Sequence, residues 1–165
     1  MSSTKWNVTF EVYRQKGSEP PYYEQFRLEV DPDEYVLDGV ERIWAFHDRS
    51  LIFRHACHHS TCGACGMRVN GVEKLTCITA MRDVTSDGGK VRVEPLRNFP
   101  VVSDLAVDMG TLYTRMEKVG HRSVNADVQE AIEPELRPAA KLTLPAEMEY
   151  MRLADCIECG LCISA

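Results

Sequence analysis

The sequence predicts an α+β fold, a small mixed sheet crossed by one helix and followed by the start of a helical domain. Three observations carry that reading. Two alternating apolar runs open the chain, and a helical stripe follows them. Short strand-like runs then gather around an Asn-Gly turn. The seven cysteines fall into two tight groups, one in each half of the chain.

Each element has its own justification. Residues 5–13 alternate, with Val8, Phe10 and Val12 on one face and Asn7, Thr9 and Glu11 between them, as in a half-buried strand. Gly17, Pro20 and Pro21 mark a connection to a second alternating run with Phe26, Leu28 and Val30, so the two pair as an antiparallel hairpin. Asp31-Pro32-Asp33 is a turn, and Asp33 is placed to cap a helix over 34–48. There Val36, Leu37, Val40, Ile43, Trp44 and His47 recur at helical spacing. Strands around 67–69 and 72–78 flank Asn70-Gly71, a two-residue hairpin signal, and Asp87-Gly88-Gly89 leads into Val91-Arg92-Val93. Strand, strand, helix, cysteine loop and short strands suit a β-grasp layout over residues 5–95.

After Pro95 the character changes. Val101, Val102, Leu105, Met109, Leu112, Tyr113 and Met116 form a helical stripe that Gly120 stops, the methionines serving as packing. Pro134, Pro138 and Pro145 make 120–145 an irregular connector, with Pro145 in the first turn of a last helix leading to Cys156.

The chain's 165 residues leave room for one domain, or for one domain and part of another. A net charge of −6 and no basic stripe exclude nucleic acid as the expected partner. The N-terminus lacks the charged head and apolar run of a secretory leader. No stretch approaches the roughly 20 apolar residues of a membrane span. The expectation is therefore a soluble chain in a reducing compartment, where an odd number of thiols binds metal in preference to forming disulfides. Acidic residues are scattered as on solvated faces, and no catalytic acid–base pair or activated nucleophile stands out.

The first cysteine group is Cys57-x4-Cys62-x2-Cys65 with Cys77 eleven residues further on. A tight run with a more distant fourth thiolate is an iron–sulfur ligand pattern, here two thiolates on each of two irons, a [2Fe–2S] cluster. Gly63 and Gly66 beside the ligands allow positive φ and bring backbone amides to the sulfurs. A Rieske site needs two histidine ligands, and Cys65 stands where the second would be, so His55, His58 and His59 are expected at the surface or behind the ligands. The competing reading is structural zinc, although Cys77 has no neighbouring cysteine to make a second close pair.

The second group, Cys156-x2-Cys159-x2-Cys162, matches three quarters of the ferredoxin run C-x2-C-x2-C-x3-C-P, whose three local ligands hold a [4Fe–4S] cluster. That run calls for a cysteine at position 166, one past Ala165, so the expectation is a truncated piece of a longer protein. The expected division is a β-grasp [2Fe–2S] domain over 1–100, then a helical linker and an incomplete α-helical [4Fe–4S] domain over 101–165.

Beyond the ligands, the chain carries Phe53-Arg54-His55-Ala56-Cys57, Cys62-Gly63-Ala64-Cys65-Gly66-Met67, Val69-Asn70-Gly71 and Leu75-Thr76-Cys77. Pro95-Leu96-Arg97-Asn98-Phe99-Pro100, Asp104-Leu105-Ala106-Val107-Asp108-Met109 and the Cys156 run follow. In this combination it resembles the iron–sulfur subunit of succinate dehydrogenases and fumarate reductases. The resemblance implies [2Fe–2S] on Cys57, Cys62, Cys65 and Cys77, and three corners of [4Fe–4S] on Cys156, Cys159 and Cys162. A [3Fe–4S] cluster would lie beyond residue 165. It further implies single-electron transfer between an FAD-containing flavoprotein, where the dicarboxylate reacts, and quinone at a membrane-anchor subunit. The chain itself would bind no substrate, and it would sit on the cytoplasmic face of the inner membrane, or the matrix face, through its partners. His58-His59 departs from the Arg-Glu that often follows the first cysteine in that family.

Three rivals stand beside this reading. The iron–sulfur small subunit of molybdenum hydroxylases shares the first spacing but ligates its second cluster with C-x2-C and a distant C-x-C. A zinc-stabilised binding module would be colourless, and a stand-alone ferredoxin would work with soluble partners.

Overall fold

The computed structural model describes residues 5–118 and 156–165. Strands β1 (Trp6–Arg14) and β2 (Tyr22–Val30) pair antiparallel with Phe10 opposite Phe26, which puts Val8, Phe10, Val12, Phe26, Leu28 and Val30 on one buried face. Helix α1 (Val36–Phe46) lays Val36, Leu37, Val40 and Ile43 on that face. Strands β3 (Gly66–Val69) and β4 (Val72–Leu75) form a hairpin through Asn70 and Gly71, at φ 51° and 83°, as a two-residue primed turn requires. Strand β5 (Lys90–Glu94) runs parallel to β1 and antiparallel to β3, giving the order β2-β1-β5-β3-β4 with α1 across it. This is a β-grasp, and the chain is α+β.

Three expectations needed correction. The helix begins after Tyr35, not Asp33, because Asp31-Pro32-Asp33 closes its own turn, with Asp31 Oδ1 accepting the Asp33 amide at 3.0 Å. Asp38 instead accepts the Tyr35 amide at 2.9 Å, and the Val36 amide donates to Thr79 O at 3.0 Å. Residues 76–78 are not strand but a 3₁₀ turn, drawn out of the ladder by two bonds from Thr76 to Cys65 O.

The helical stripe expected from Val101 is a small hairpin, β6 (Val101–Ser103) and β7 (Ala106–Val107), turned at Asp104 with φ 47°. Helix α2 spans Gly110–Lys118. Leu105 and Met109 are buried all the same. The connector over 120–145 and the helix expected from Pro145 lie outside the described residues. A last short helix, α3, spans Leu161–Ser164. The chain divides into two compact units, one reaching Met109 and including Ile157–Ala165, the other Gly110–Cys156. Among the described residues no helix is long and apolar enough to cross a membrane.

Asp104 explains the hairpin. It is fully buried, and its carboxylate accepts the Gln15 amide at 3.0 Å, the Ile52 amide at 2.9 Å and Arg14 Nε at 3.2 Å. Arg14, itself 2% exposed, also pairs with Glu24, with Asp48 at 2.6 Å and with Ser50 Oγ at 3.0 Å. One guanidinium thus ties β1, β2, the segment after α1 and the β6–β7 turn together.

The Arg14 guanidinium, helped by Ser50, holds the Asp48 carboxyl at about 2 against an ordinary 3.8. A carboxylate depressed in the folded state contributes stability that is complete above its unfolded value and is lost as pH falls through the folded one. Urea unfolding should therefore weaken between about pH 4 and about pH 2, and Asp48→Asn should flatten that slope. An unaltered slope in the variant would remove Asp48 from the account.

Candidate metal centre

The β3–β4 register builds the inner half of the site. Gly66 stands opposite Leu75, so Cys65, just before β3, meets Cys77, just after β4. Thr76 clamps the junction, its amide and hydroxyl reaching Cys65 O at 3.3 and 2.9 Å. Cys65 and Cys77 are 2% and 1% exposed and pack with Leu37 of α1, Phe53 and Leu75. Burial pushes the Cys65 thiol up to about 11, so its thiolate needs a cation beside it.

The outer half is the loop between Cys57 and Cys62. Its amides point at sulfur: those of His59, Thr61 and Cys62 lie 3.5, 3.3 and 3.4 Å from Cys57 Sγ, and that of Ser60 lies 3.4 Å from Cys77 Sγ. His58 and Ser60 hold φ 59° and 62°, which turn successive amides inward as in an anion-binding nest. The His59 amide first, then that of Cys62, pulls the Cys57 thiol down to about 6. Cys57 is half-buried and Cys62 exposed. The four thiols therefore stand as a rim pair, Cys57 and Cys62, over a buried pair, Cys65 and Cys77.

This donor set fits a binuclear iron–sulfur cluster better than one zinc ion. A single zinc with four thiolates at about 2.3 Å sets the sulfurs roughly 3.8 Å apart. Among the described residues the triad whose ligand atoms all lie within 4.8 Å is Glu41, His55 and His58, and no cysteine triad is that close. The expected glycine roles need one correction. Gly63 does hold φ 69°, but Gly66 does not have positive φ, and the amides on sulfur come from His59, Ser60, Thr61 and Cys62. A Cβ at 66 would stand 3.1 Å from Cys159 O and 3.3 Å from Leu161, so a larger residue there would press on the C-terminal segment.

Those neighbours belong to the second cysteine run. Cys159 is half-buried and lies with its backbone against Gly63, while Cys162 is exposed. Ser164, 1% exposed, anchors the segment: it accepts the Arg97 amide at 2.8 Å and donates to Glu73 at 2.9 Å. Asn98 Nδ2 adds a bond to Ile163 O at 2.7 Å, and Phe99 and Met109 pack on Gly160. Cys156 is exposed and closes the other compact unit. Ser164, Glu73 and Asn98 were missed from sequence, since no spacing rule links residues this far apart in the chain.

The model for "2Fe-2S iron-sulfur cluster binding domain" matches residues 9–114. The fumarate reductase iron-sulfur subunit of Mycobacterium tuberculosis is 35% identical over 154 residues, covering 93% of this chain and 60% of that one. The succinate dehydrogenase iron-sulfur subunit of Coxiella burnetii is 31% identical, covering 96% and 65%. A chain of the Mycobacterium smegmatis Sdh1 complex in the apo form superposes with a TM-score of 0.80 at 25% identity, covering 98% of this chain and 64% of that one. The present chain spans about three fifths to two thirds of the length of these relatives. With four paired thiols under a nest of amides, and a model match that takes in every one of them, the chain belongs to the family of 2Fe-2S iron–sulfur cluster binding domains.

Proposed function

We propose that this chain is the electron-carrying part of an iron–sulfur subunit that works between an FAD-containing flavoprotein acting on succinate or fumarate and quinone held by a membrane-anchor subunit. The observation that carries the reading is the backbone of Cys159 seated on Gly63, which sets this cysteine of the second run beside the ligand segment of the first. Cys57, Cys62, Cys65 and Cys77 would hold [2Fe–2S], and Cys156, Cys159 and Cys162 three corners of [4Fe–4S]. A [3Fe–4S] cluster would belong to the remainder of a longer protein. Such groups take up and give back one electron at a time.

The chain's own residues tune and insulate. The amides of His59, Ser60, Thr61 and Cys62 place partial positive charge on the sulfurs, which favours the more negative reduced state and raises the potential. Leu37, Phe53 and Leu75 keep water from the inner pair. The likeness to dicarboxylate-enzyme subunits favours this reading over a molybdenum hydroxylase small subunit, and the spread of the thiols disfavours zinc. Docking on its partners would hold the chain at the cytoplasmic face of the inner membrane, or the matrix face.

Anaerobically prepared protein should be brown and give a rhombic electron paramagnetic resonance signal after dithionite. Cys57→Ser should bleach or reshape that signal while leaving the far-ultraviolet circular dichroism of the sheet unchanged. An identical signal in the variant would mean Cys57 is not a ligand. Failure to co-purify with a flavoprotein would count against the partners.

A further inference from the structure

On the outer side of the cysteine loop three ligand-type atoms converge that electron transfer does not use. Helix α1 supplies Glu41, the chain leading into the loop supplies His55, and the loop itself supplies His58. Glu41 Oε1 lies 3.0 Å from His55 Nδ1 and 3.2 Å from His58 Nε2, and the two ring nitrogens are 3.3 Å apart. The triangle is nearly equilateral. A tetrahedral ion with bonds of about 2.0–2.1 Å to nitrogen and oxygen spaces its ligand atoms roughly 3.3 Å apart.

A shared proton accounts for one edge of that triangle, the bond between the two imidazoles. The carboxylate stands at ion-pair distance from both rings, so its charge is balanced by a protonated imidazole or by a bound cation. Glu41 Oε1 is closed to solvent and accepts no hydrogen bond of ordinary geometry among the described residues. With neutral imidazoles, an anionic oxygen shielded from water between two ring nitrogens is costly, and a bound cation that takes all three atoms as ligands removes that cost. The rings are also held in place: His55 stacks on Phe53 at 5.0 Å and 19°, and Phe53 meets the edge of Trp44.

We propose that Glu41, His55 and His58 form a second, mononuclear site for a divalent ion of the zinc type. Two imidazoles with one carboxylate suit such an ion, whereas magnesium and calcium prefer all-oxygen shells. Three protein ligands leave a fourth position for water or a ligand from outside. All three side chains keep partial exposure, so the ion enters from solvent. Bound there, it pins α1 to the segment adjoining Cys57. The site adjoins the cysteine loop through His58 but uses none of its thiols.

The test is zinc-edge X-ray absorption on cluster-loaded protein dialysed anaerobically against zinc sulfate, with metal analysis alongside. Zinc held here shows nitrogen and oxygen neighbours at about 2.0–2.1 Å, whereas zinc on spare thiols shows sulfur at about 2.3 Å. The expected result is one zinc per chain with the nitrogen–oxygen shell, weakened at least about tenfold in affinity by Glu41→Gln and by His55→Ala. Glu41 lies on α1 and, among the described residues, forms no bond to any of the four thiols, so the cluster absorption of Glu41→Gln should be unchanged. No bound zinc, a sulfur shell alone, or a nitrogen–oxygen shell that survives both substitutions would each overturn the proposal.

Discussion

Replacing Arg14 by methionine should lower the unfolding free energy by about 3–5 kcal/mol, the range for removing one partner of a buried ion pair. The loss comes less from the pairs themselves than from what stays behind. Asp104 is fully buried and would keep its charge with only the Gln15 and Ile52 amides to answer it. Asp48 and Glu24 are partly exposed and can turn to water. Adding Asp104→Leu to Arg14→Met should therefore recover part of the stability, because an apolar pair replaces a stranded charge. Urea titration of both variants, followed by circular dichroism, measures this. A single variant within about 1 kcal/mol of the parent would show that the buried charge is relieved in some other way.

Gly63→Ala should release the C-terminal segment. The new Cβ would sit 2.6 Å from Ile157 O and 2.8 Å from Cys159 Cα, both backbone, so no side chain can swing aside. The residue also holds φ 69°, which costs an L-residue roughly 1–2 kcal/mol. Hydrogen exchange at Ile163 and Ser164, whose amides donate to Gly160 O at 3.1 Å, should quicken at least about tenfold, equivalent to about 1.4 kcal/mol. Ser164→Ala should free the same segment from its other end, leaving the Arg97 amide without its acceptor. The two variants differ in one readout. Only Gly63→Ala, flanked by Cys62 and close to Cys65, should alter the binuclear resonance. Unchanged exchange in both would mean that the segment is held elsewhere.

Local chemistry made most of the sheet legible. Alternation placed β1 and β2, Asn70-Gly71 placed the β3–β4 hairpin, and a helical stripe placed α1. The stripe from Val101 misled because Leu105 and Met109 are buried in either conformation, and burial is all that periodicity reports. What decides the matter is Asp104 with Arg14, a contact between residues ninety positions apart. A charged residue in that setting reads as surface in a linear scan. The cysteine spacing disclosed the ligand types, but the pairing of Cys65 with Cys77 depends on hairpin register. The seat of Cys159 on Gly63 is purely tertiary. His55 and His58 were legible as histidines only, since Glu41, which gathers them, comes from α1.

The parallel pairing of β1 with β5 joins Thr9 to Lys90, so the centre of the sheet closes only after some eighty intervening residues have been synthesised. Closing so long a loop is slow relative to forming the local hairpins. Every thiol of the first group lies inside that loop. Once it has shut, Cys65 and Cys77 are buried, so iron offered to the folded chain would meet the thiols of Cys57 and Cys62 first.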